Sequence, residues 1–167
     1  GPRKRHTEEK PHNIVFFLFG AATLWFGWFG FNGGSALASG SLASLAILNT
    51  HVAGAAGGLA WLMIEWSIRK RPTLVGTATG AIAGLVAITP AAGFVTVPAA
   101  LVIGFVGAPV AYFSIKCIKA RLKYDDTLDA FGVHGMAGIW GAIATGLFAT
   151  TSVNEAGNNG LLYGNAE

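Results

Sequence analysis

Long apolar stretches separated by short basic clusters dominate the chain. Residues 11–64, 72–115 and 130–154 contain no Asp, Glu, Lys or Arg. A helix that crosses the hydrocarbon core of a membrane needs about 20 predominantly apolar residues. The first two stretches have room for two spans each, and the third has room for one. The pattern therefore predicts five membrane helices, the third the shortest, at about 14–36, 42–66, 74–90, 94–115 and 128–150.

The basic residues alternate with the predicted spans in a way that indicates one orientation. They precede the first span, join the second to the third and join the fourth to the fifth: Arg3, Lys4, Arg5 and Lys10; Arg69, Lys70 and Arg71; Lys116, Lys119, Arg121 and Lys123. The positive-inside rule places these three clusters in the cytoplasm. We therefore expect a cytoplasmic segment at 1–13, a membrane domain at 14–150 and an extracellular tail at 151–167.

The composition agrees with a membrane protein and excludes several other classes. Hydrophobic residues make up 53% and charged residues 11%, whereas soluble domains carry about 25% charged residues. The single cysteine, Cys117, excludes a disulfide scaffold and a multi-cysteine metal site, and we predict no cofactor and no metal. The net charge of +3 reflects topology, so no nucleic-acid partner is expected. The predicted fold is an all-α, polytopic bundle in which small residues such as Gly80 and Gly84 allow close helix packing.

His134 is an ionisable residue about seven residues, or roughly 10 Å, inside the fifth predicted span. Ionisable groups at such a depth are candidates for function. The neighbouring residues 132–136 offer no ionic partner, so we expect a neutral imidazole that lines a cavity and can both donate and accept a hydrogen bond. The alternative is a histidine bonded to a backbone carbonyl. His51, in the second span, is expected to form an interhelical hydrogen bond.

Aromatic residues and glycines crowd the end of the first predicted span, where residues 25–35 read WFGWFGFNGGS. Aromatic faces attract a desolvated cation, and the Ser35 hydroxyl can accept a hydrogen bond from an ammonium group. The residues alone leave open whether this segment is a cation site or an interfacial anchor. Trp61 and Trp66, near the end of the second span, are expected in an interfacial belt.

Two acidic residues, Asp126 and Asp129, precede the fifth span. They predict a helix start in which Asp126 is the N-cap and Asp129 supplies a carboxylate at the third helical position. Both would be favoured by the positive end of the helix dipole. The residues leave open whether this pair has any role beyond starting the helix.

Three separated segments resemble the ammonium transporter family (Amt/Mep/Rh). They read GWFGFNGGSA at 27–36, GLVAITPAAGF at 84–94 and YDDTLDAFGVHGMAGIWG at 124–141. The segments occur in the family's order, and the similarity covers essentially the whole chain. The resemblance implies one half of an inverted-repeat transporter fold. It also implies a plasma-membrane homotrimer that transports ammonium or ammonia through a pore in each subunit, and not an enzyme.

The resemblance implies roles for residues that match the family's motifs. His134 resembles the second of two histidines midway along the pore. Phe31 resembles one of two phenylalanines that gate the pore from outside. Ser35 resembles the hydroxyl that helps to bind ammonium in the outer vestibule.

Further matching positions concern the pore wall and the missing half of the pore. Leu24 and Trp28 resemble residues that line the conduit or its approach, and Asp126 and Asp129 match acidic positions near the inner end of a pore helix. The other pore histidine, the other gate phenylalanine and the acidic vestibule residue have no counterpart in this sequence. We therefore expect the chain to be a fragment that needs its N-terminal half to form a pore.

The implied mechanism has three alternatives. An apolar pore opposes a bare cation, so ammonium would lose its proton and ammonia would pass the imidazoles. A non-transporting ammonium sensor or an inactive fragment would share the same membrane domain. An intramembrane serine protease would need Ser35 and His134 within hydrogen-bond distance. We expect Ser35 at the outer end of the membrane domain and His134 in its inner half, too far apart for a hydrogen bond, which disfavours the protease.

Overall fold

The computed structural model describes residues 11–122 and 124–165, and this part of the chain forms five long helices and no strand. The helices are α1 (Ile14–Gly34), α2 (Ser41–Arg69), α3 (Leu74–Ile88), α4 (Val97–Leu122) and α5 (Phe131–Phe148). Four of the described helices are long and apolar enough to cross a membrane, and α3 has only 15 residues. The predicted helical bundle and its short third helix are confirmed.

The two helices that flank the last basic connection differ from their predicted bounds. α4 passes the predicted end at 115 and continues through a π-helical turn, Ser114–Lys119, to Leu122. α5 begins at Phe131 instead of 128, because the residues before it form a turn, and its own first turn, Phe131–Gly135, is also π-helical. An apolar run marks the part of a helix inside the hydrocarbon, whereas the helix itself can extend into the basic aqueous side.

Close backbone contacts among α2, α3 and α4 depend on small residues. A methyl group at Gly57 would collide with the carbonyl of Gly80 and would lie 2.9 Å from the Cα of Gly84. A methyl group at Gly104 would lie 2.5 Å from the Cα of Ala53. In lipid, helices associate through such close van der Waals contacts. The predicted packing through Gly80 and Gly84 is confirmed.

The centre of the bundle is α3, whose residues 80–88 are all buried. Ile103 and Tyr112 of α4 and Trp61 of α2 belong to the same core. The Trp61 ring stands edge-on to Tyr112, with 5.2 Å between ring centroids. The predicted interfacial position of Trp61 is therefore wrong, because its face of α2 packs against α3 and α4. Trp66, by contrast, is 60% exposed.

An irregular turn follows α3 and is held by a buried side chain of α2. The fully buried Asn49 amide donates hydrogen bonds to the carbonyls of Ala92 and Val95, both at 2.8 Å. The segment after α5 packs on the same turn, where the Thr150 N–H donates to the Phe94 carbonyl at 2.9 Å. Backbone groups buried without water need such partners. These bonds therefore fix the path of the chain between α3 and α4.

Candidate functional site

An open cavity of about 640 Å³ lies between α1, the end of α3 and the first turns of α5. Four residues predicted from the sequence line it, namely Leu24, Trp28, Phe31 and His134. The spacing of the three α1 residues, four and then three positions apart, places them on one face of that helix. The remaining wall consists of Thr23, Gly27, Val86, Thr89, Pro90 and Gly138.

A row of rings links the histidine to the far end of α1. The Trp28 ring lies 6.2 Å from the His134 ring and 6.4 Å from the Phe31 ring, measured between centroids. His134 is exposed to the cavity, and in residues 11–122 and 124–165 its imidazole has no hydrogen-bond partner. The alternative of a histidine bonded to a backbone carbonyl is therefore not seen in this part of the chain.

The other polar groups in the cavity wall are paired with one another or with backbone. The Trp28 indole N–H donates to the Thr89 hydroxyl oxygen at 2.8 Å, and that hydroxyl donates to the Leu85 carbonyl at 2.8 Å. The Thr23 hydroxyl donates to a carbonyl of its own helix. Among the residues that the structure describes, the His134 imidazole is thus an unpaired donor and acceptor in a mainly apolar space, and it can exchange a hydrogen bond with a small polar solute.

Ser35 lies just beyond the end of α1 and is exposed, outside the set of residues that line the cavity. Its hydroxyl donates to the Phe31 carbonyl at 2.6 Å. Because its proton is used in that bond, the oxygen lone pairs remain available as acceptors. Within the described residues no hydrogen bond joins Ser35 to His134, so the serine–histidine dyad that a protease requires is not formed.

Asp126 and Asp129 both lie at the start of α5 but make different contacts. The Asp126 carboxylate accepts hydrogen bonds from the N–H groups of Ala130 and Phe131, at 2.8 and 2.9 Å, and so caps the start of the helix. Asp126 is not at the predicted N-cap position, which Ala130 occupies. Asp129 lies before the helix and not at its third position, because α5 begins two residues after it. Its backbone is left-handed, with φ of 52°, and its carboxylate accepts from Lys119 Nζ at 2.6 Å.

Sequence reasoning missed the part of the wall that α3 and its turn provide. Thr89 and Pro90 lie within the segment 84–94 that carried the family resemblance, yet no role was assigned to them. A signal was present, because a single hydroxyl follows the otherwise apolar end of α3 and a proline then ends that helix. The partner of that hydroxyl, Trp28, lies 61 positions away in the sequence.

His51 belongs to a different surface from His134. Its ring lies 5.5 Å from the Trp25 ring and 5.8 Å from the Phe29 ring, between centroids. Within the part of the chain that the structure describes, its imidazole makes no hydrogen bond. The predicted interhelical hydrogen bond is therefore not formed within this part of the chain, where aromatic rings of α1 lie beside the imidazole.

Comparisons with known proteins agree on one family. The model of the Ammonium Transporter Family matches residues 1–167. The chain is 55% identical to an ammonium transporter of Bacillus subtilis over 166 residues, which cover 99% of the chain and 41% of that protein. The chain thus spans about two fifths of the length of this relative.

Solved structures give the same result. The crystal structure of Candida albicans Mep2 matches with a TM-score of 0.88 at 39% identity, over 96% of this chain and 36% of that one. A structure described as a sensor Amt protein matches with a TM-score of 0.81 at 37% identity, over 87% of this chain and 38% of that one. Sequence, helical architecture and structural likeness show that this multi-pass membrane chain belongs to the ammonium transporter family.

Proposed function

We propose that the full-length protein containing this chain conducts ammonia, recruited as ammonium, across the plasma membrane as a homotrimer. The chain forms one side of the pore in each subunit. The observation that carries this proposal is the cavity itself, in which the His134 imidazole, without a hydrogen-bond partner in the described part of the chain, faces apolar walls beside the rings of Trp28 and Phe31.

The chemistry of the cavity suits a small molecule that can change its charge. Moving an isolated ammonium ion into an apolar space costs far more than moving neutral ammonia. Ammonium therefore releases its proton before or within the cavity. A neutral imidazole such as that of His134 accepts a hydrogen bond from ammonia or donates one to it, and can take part in relaying the released proton.

Recruitment of ammonium takes place at the end of α1. The Ser35 oxygen accepts a hydrogen bond from ammonium, since its own proton is directed to the Phe31 carbonyl. Aromatic faces at the same end add attraction for the cation. Phe31 lies between Ser35 and Trp28 along α1 and acts as the gate, while Leu24 lines the conduit farther in.

The orientation in the membrane follows from the basic connections. The connections from α2 to α3 and from α4 to α5 carry the basic residues and lie in the cytoplasm. The segment 1–13 is then cytoplasmic and 151–167 extracellular, which places Ser35 outside. The open side of the cavity, where Leu24 is 53% and Phe31 63% exposed, is completed by the remainder of the full-length chain.

The test replaces the imidazole in the full-length protein reconstituted in lipid vesicles. His134→Ala is expected to abolish selective transport, measured as ammonium-driven internal pH change and as discrimination against K⁺. The matched control is His51→Ala, which removes an exposed histidine from another surface. Unchanged uptake and selectivity in His134→Ala would contradict the proposal.

Ammonium sensing without transport is a second candidate function that the comparisons do not favour over transport, although the chain is also similar to a structure described as a sensor Amt protein. The same vesicles separate the two functions. Saturable ammonium binding to the purified full-length protein with no flux into the vesicles supports a sensor. Flux that His134→Ala removes supports a transporter.

A further inference from the structure

Two π-helical turns face each other on neighbouring helices. One is Ser114–Lys119 in α4, and the other is Phe131–Gly135, which opens α5 and contains His134. The two turns touch, because a methyl group added at Gly132 would come within 2.6 Å of Ile115 Cγ1. π-helical turns are rare and occur frequently at functional sites. Because the π turn of α5 contains the cavity histidine, the contacts that hold this turn in place also bear on the position of His134.

The Lys119 side chain ties the two turns together. Its ammonium group donates to Asp129 Oδ1 at 2.6 Å and to the Asp126 carbonyl at 2.5 Å. The Lys119 and Asp129 side chains are only 25% and 33% exposed. We name the contact of Lys119 with Asp129 and the Asp126 carbonyl the lysine clamp. It joins the last residue of the α4 π turn to the residues just before α5.

Capping makes the clamp continuous with the turn that holds the histidine. The Asp126 carboxylate accepts from the N–H groups of Ala130 and Phe131, so the residue whose carbonyl Lys119 holds also fixes the first turn of α5. The left-handed backbone of Asp129, with φ of 52°, folds the connection tightly onto that turn. The position of the first turn of α5 is thus set from the end of α4.

The direction in which the His134 side chain leaves the helix axis depends on the π geometry of that first turn. A π turn contains one residue more than an α turn, and one residue corresponds to about 100° of rotation around a helix axis. If the turn relaxed to α geometry, the residues at the start of α5 would rotate relative to Met136–Phe148. His134, which lies within the turn, would then leave its place 6.2 Å from the Trp28 ring.

We propose that Lys119 and Asp129 are positioning residues that hold the π turn of α5 and thereby aim His134 into the cavity. Neither residue lines the cavity, so each acts through the histidine. The placement of His134 follows from the contacts alone. The effect on transport rests, in addition, on the proposed function.

The first readout is the contact between His134 and Trp28, observed in the full-length protein in lipid by solid-state NMR with labelled histidine and tryptophan. Wild type gives a through-space signal between the two rings, assigned by its disappearance in His134→Ala. Lys119→Met removes the cation at similar length, and Asp129→Gly removes the carboxylate while favouring the left-handed backbone. Both variants are expected to lose the signal. Lys119→Arg, which keeps the positive charge, is expected to retain it.

The matched control is Arg121→Gln, which neutralises an exposed cation two positions beyond the clamp and is expected to keep the signal. Should Asp129→Gly not fold, Lys119→Met compared with Lys119→Arg tests the same contact from its other side. A signal of wild-type strength in folded Lys119→Met overturns the proposal, because the histidine then keeps its place without the clamp.

Transport is measured separately on the same variants. Loss of the signal is expected to accompany a fall in transport of up to about 100-fold, as misplacement by about 1 Å does in enzymes. If Lys119→Met loses the signal, and both Lys119→Met and His134→Ala transport at the wild-type rate, the proposed function is contradicted and the positioning role is supported. Wild-type signal with impaired transport in Lys119→Met overturns the positioning role alone.

Discussion

The close contact of α2 with α3 makes Gly84→Ala a sensitive test of how the cavity wall is held. The new methyl group would collide with the Ala53 carbonyl oxygen, and it would lie 3.0 Å from that carbonyl carbon and 3.2 Å from the Gly57 Cα. All three atoms belong to backbone, so no change of rotamer relieves the collision. α3 must move away from α2, and α3 carries the cavity residue Val86 and leads into Thr89.

The expected cost combines two opposing effects. Overpacking costs about 1–3 kcal/mol, and replacing a helical glycine by alanine returns about 0.5–1 kcal/mol. The net destabilisation of Gly84→Ala is then about 0–2.5 kcal/mol, and relative to a glycine-to-alanine change without the collision it is about 1–3 kcal/mol. The relatives are about 400 residues long, and at roughly 2.1 cal/mol/K of unfolding entropy per residue the melting midpoint falls by about 1 °C per kcal/mol, so by up to about 3 °C. Transport per folded molecule also falls, because the wall shifts.

The assay compares Gly84→Ala with Gly146→Ala in detergent melting curves and in vesicle uptake. The control gains the same helix propensity, but a methyl group at Gly146 meets nothing within 4 Å among the described residues. Its melting midpoint is expected to be unchanged or slightly raised. Equal midpoints and equal uptake for the two variants would refute the reasoning that backbone contact at Gly84 holds α3 in place.

Two further predictions concern Gly138 in the cavity wall and Tyr124 in the connection between α4 and α5. Gly138→Val is expected to lower ammonium uptake several-fold with an unchanged melting midpoint, since a Cβ there makes only an ordinary 3.8 Å contact with Val86 and the added methyl groups enter the cavity. Tyr124→Phe, which removes a buried hydroxyl without a partner in the described residues, should leave stability unchanged or raise it by up to about 1 kcal/mol. Burial, and next the Asp126 carboxylate, raise the pKa of Tyr124 above its usual 10.0, so wild-type stability holds below pH 10.0 and falls as the pH rises through the folded-state pKa. Alkaline denaturation curves should show this loss in wild type and not in Tyr124→Phe.

Much of the fold follows from where charges are absent. Uncharged stretches and basic clusters predict five helices because hydrocarbon excludes ionic groups and the cytoplasmic side attracts basic ones. The same logic misplaces Trp61, since hydropathy does not distinguish a residue that faces lipid from one that faces other helices. The burial of Trp61 is decided by the glycines of α3 opposite it, and a methyl group at Gly80 would collide with its Cβ.

Residues of the site could be predicted where a residue is anomalous by itself or belongs to a recognisable motif. His134 stands out as an ionisable group in an apolar run, and the α1 residues follow from motif resemblance alone. Thr89 is visible as a hydroxyl at the apolar end of α3, but its partner could not be predicted, because that partner is an indole 61 positions away. The π turn around His134 was equally hidden, since it depends on Lys119 and Asp129 meeting across a connection.

The short length of α3 has a consequence for how the protein is made. Fifteen residues of helix cover only about 22 Å, less than the roughly 30 Å of hydrocarbon, and the turn after it carries backbone groups that lipid cannot satisfy. During synthesis this segment cannot rest in the bilayer alone as a stable intermediate. It becomes stable only when Asn49 of the preceding helix and the small residues of the following one are present. Membrane insertion of α2, α3 and α4 should therefore occur as one cooperative event, and an arrested chain that ends before α4 should leave α3 accessible to modification from water.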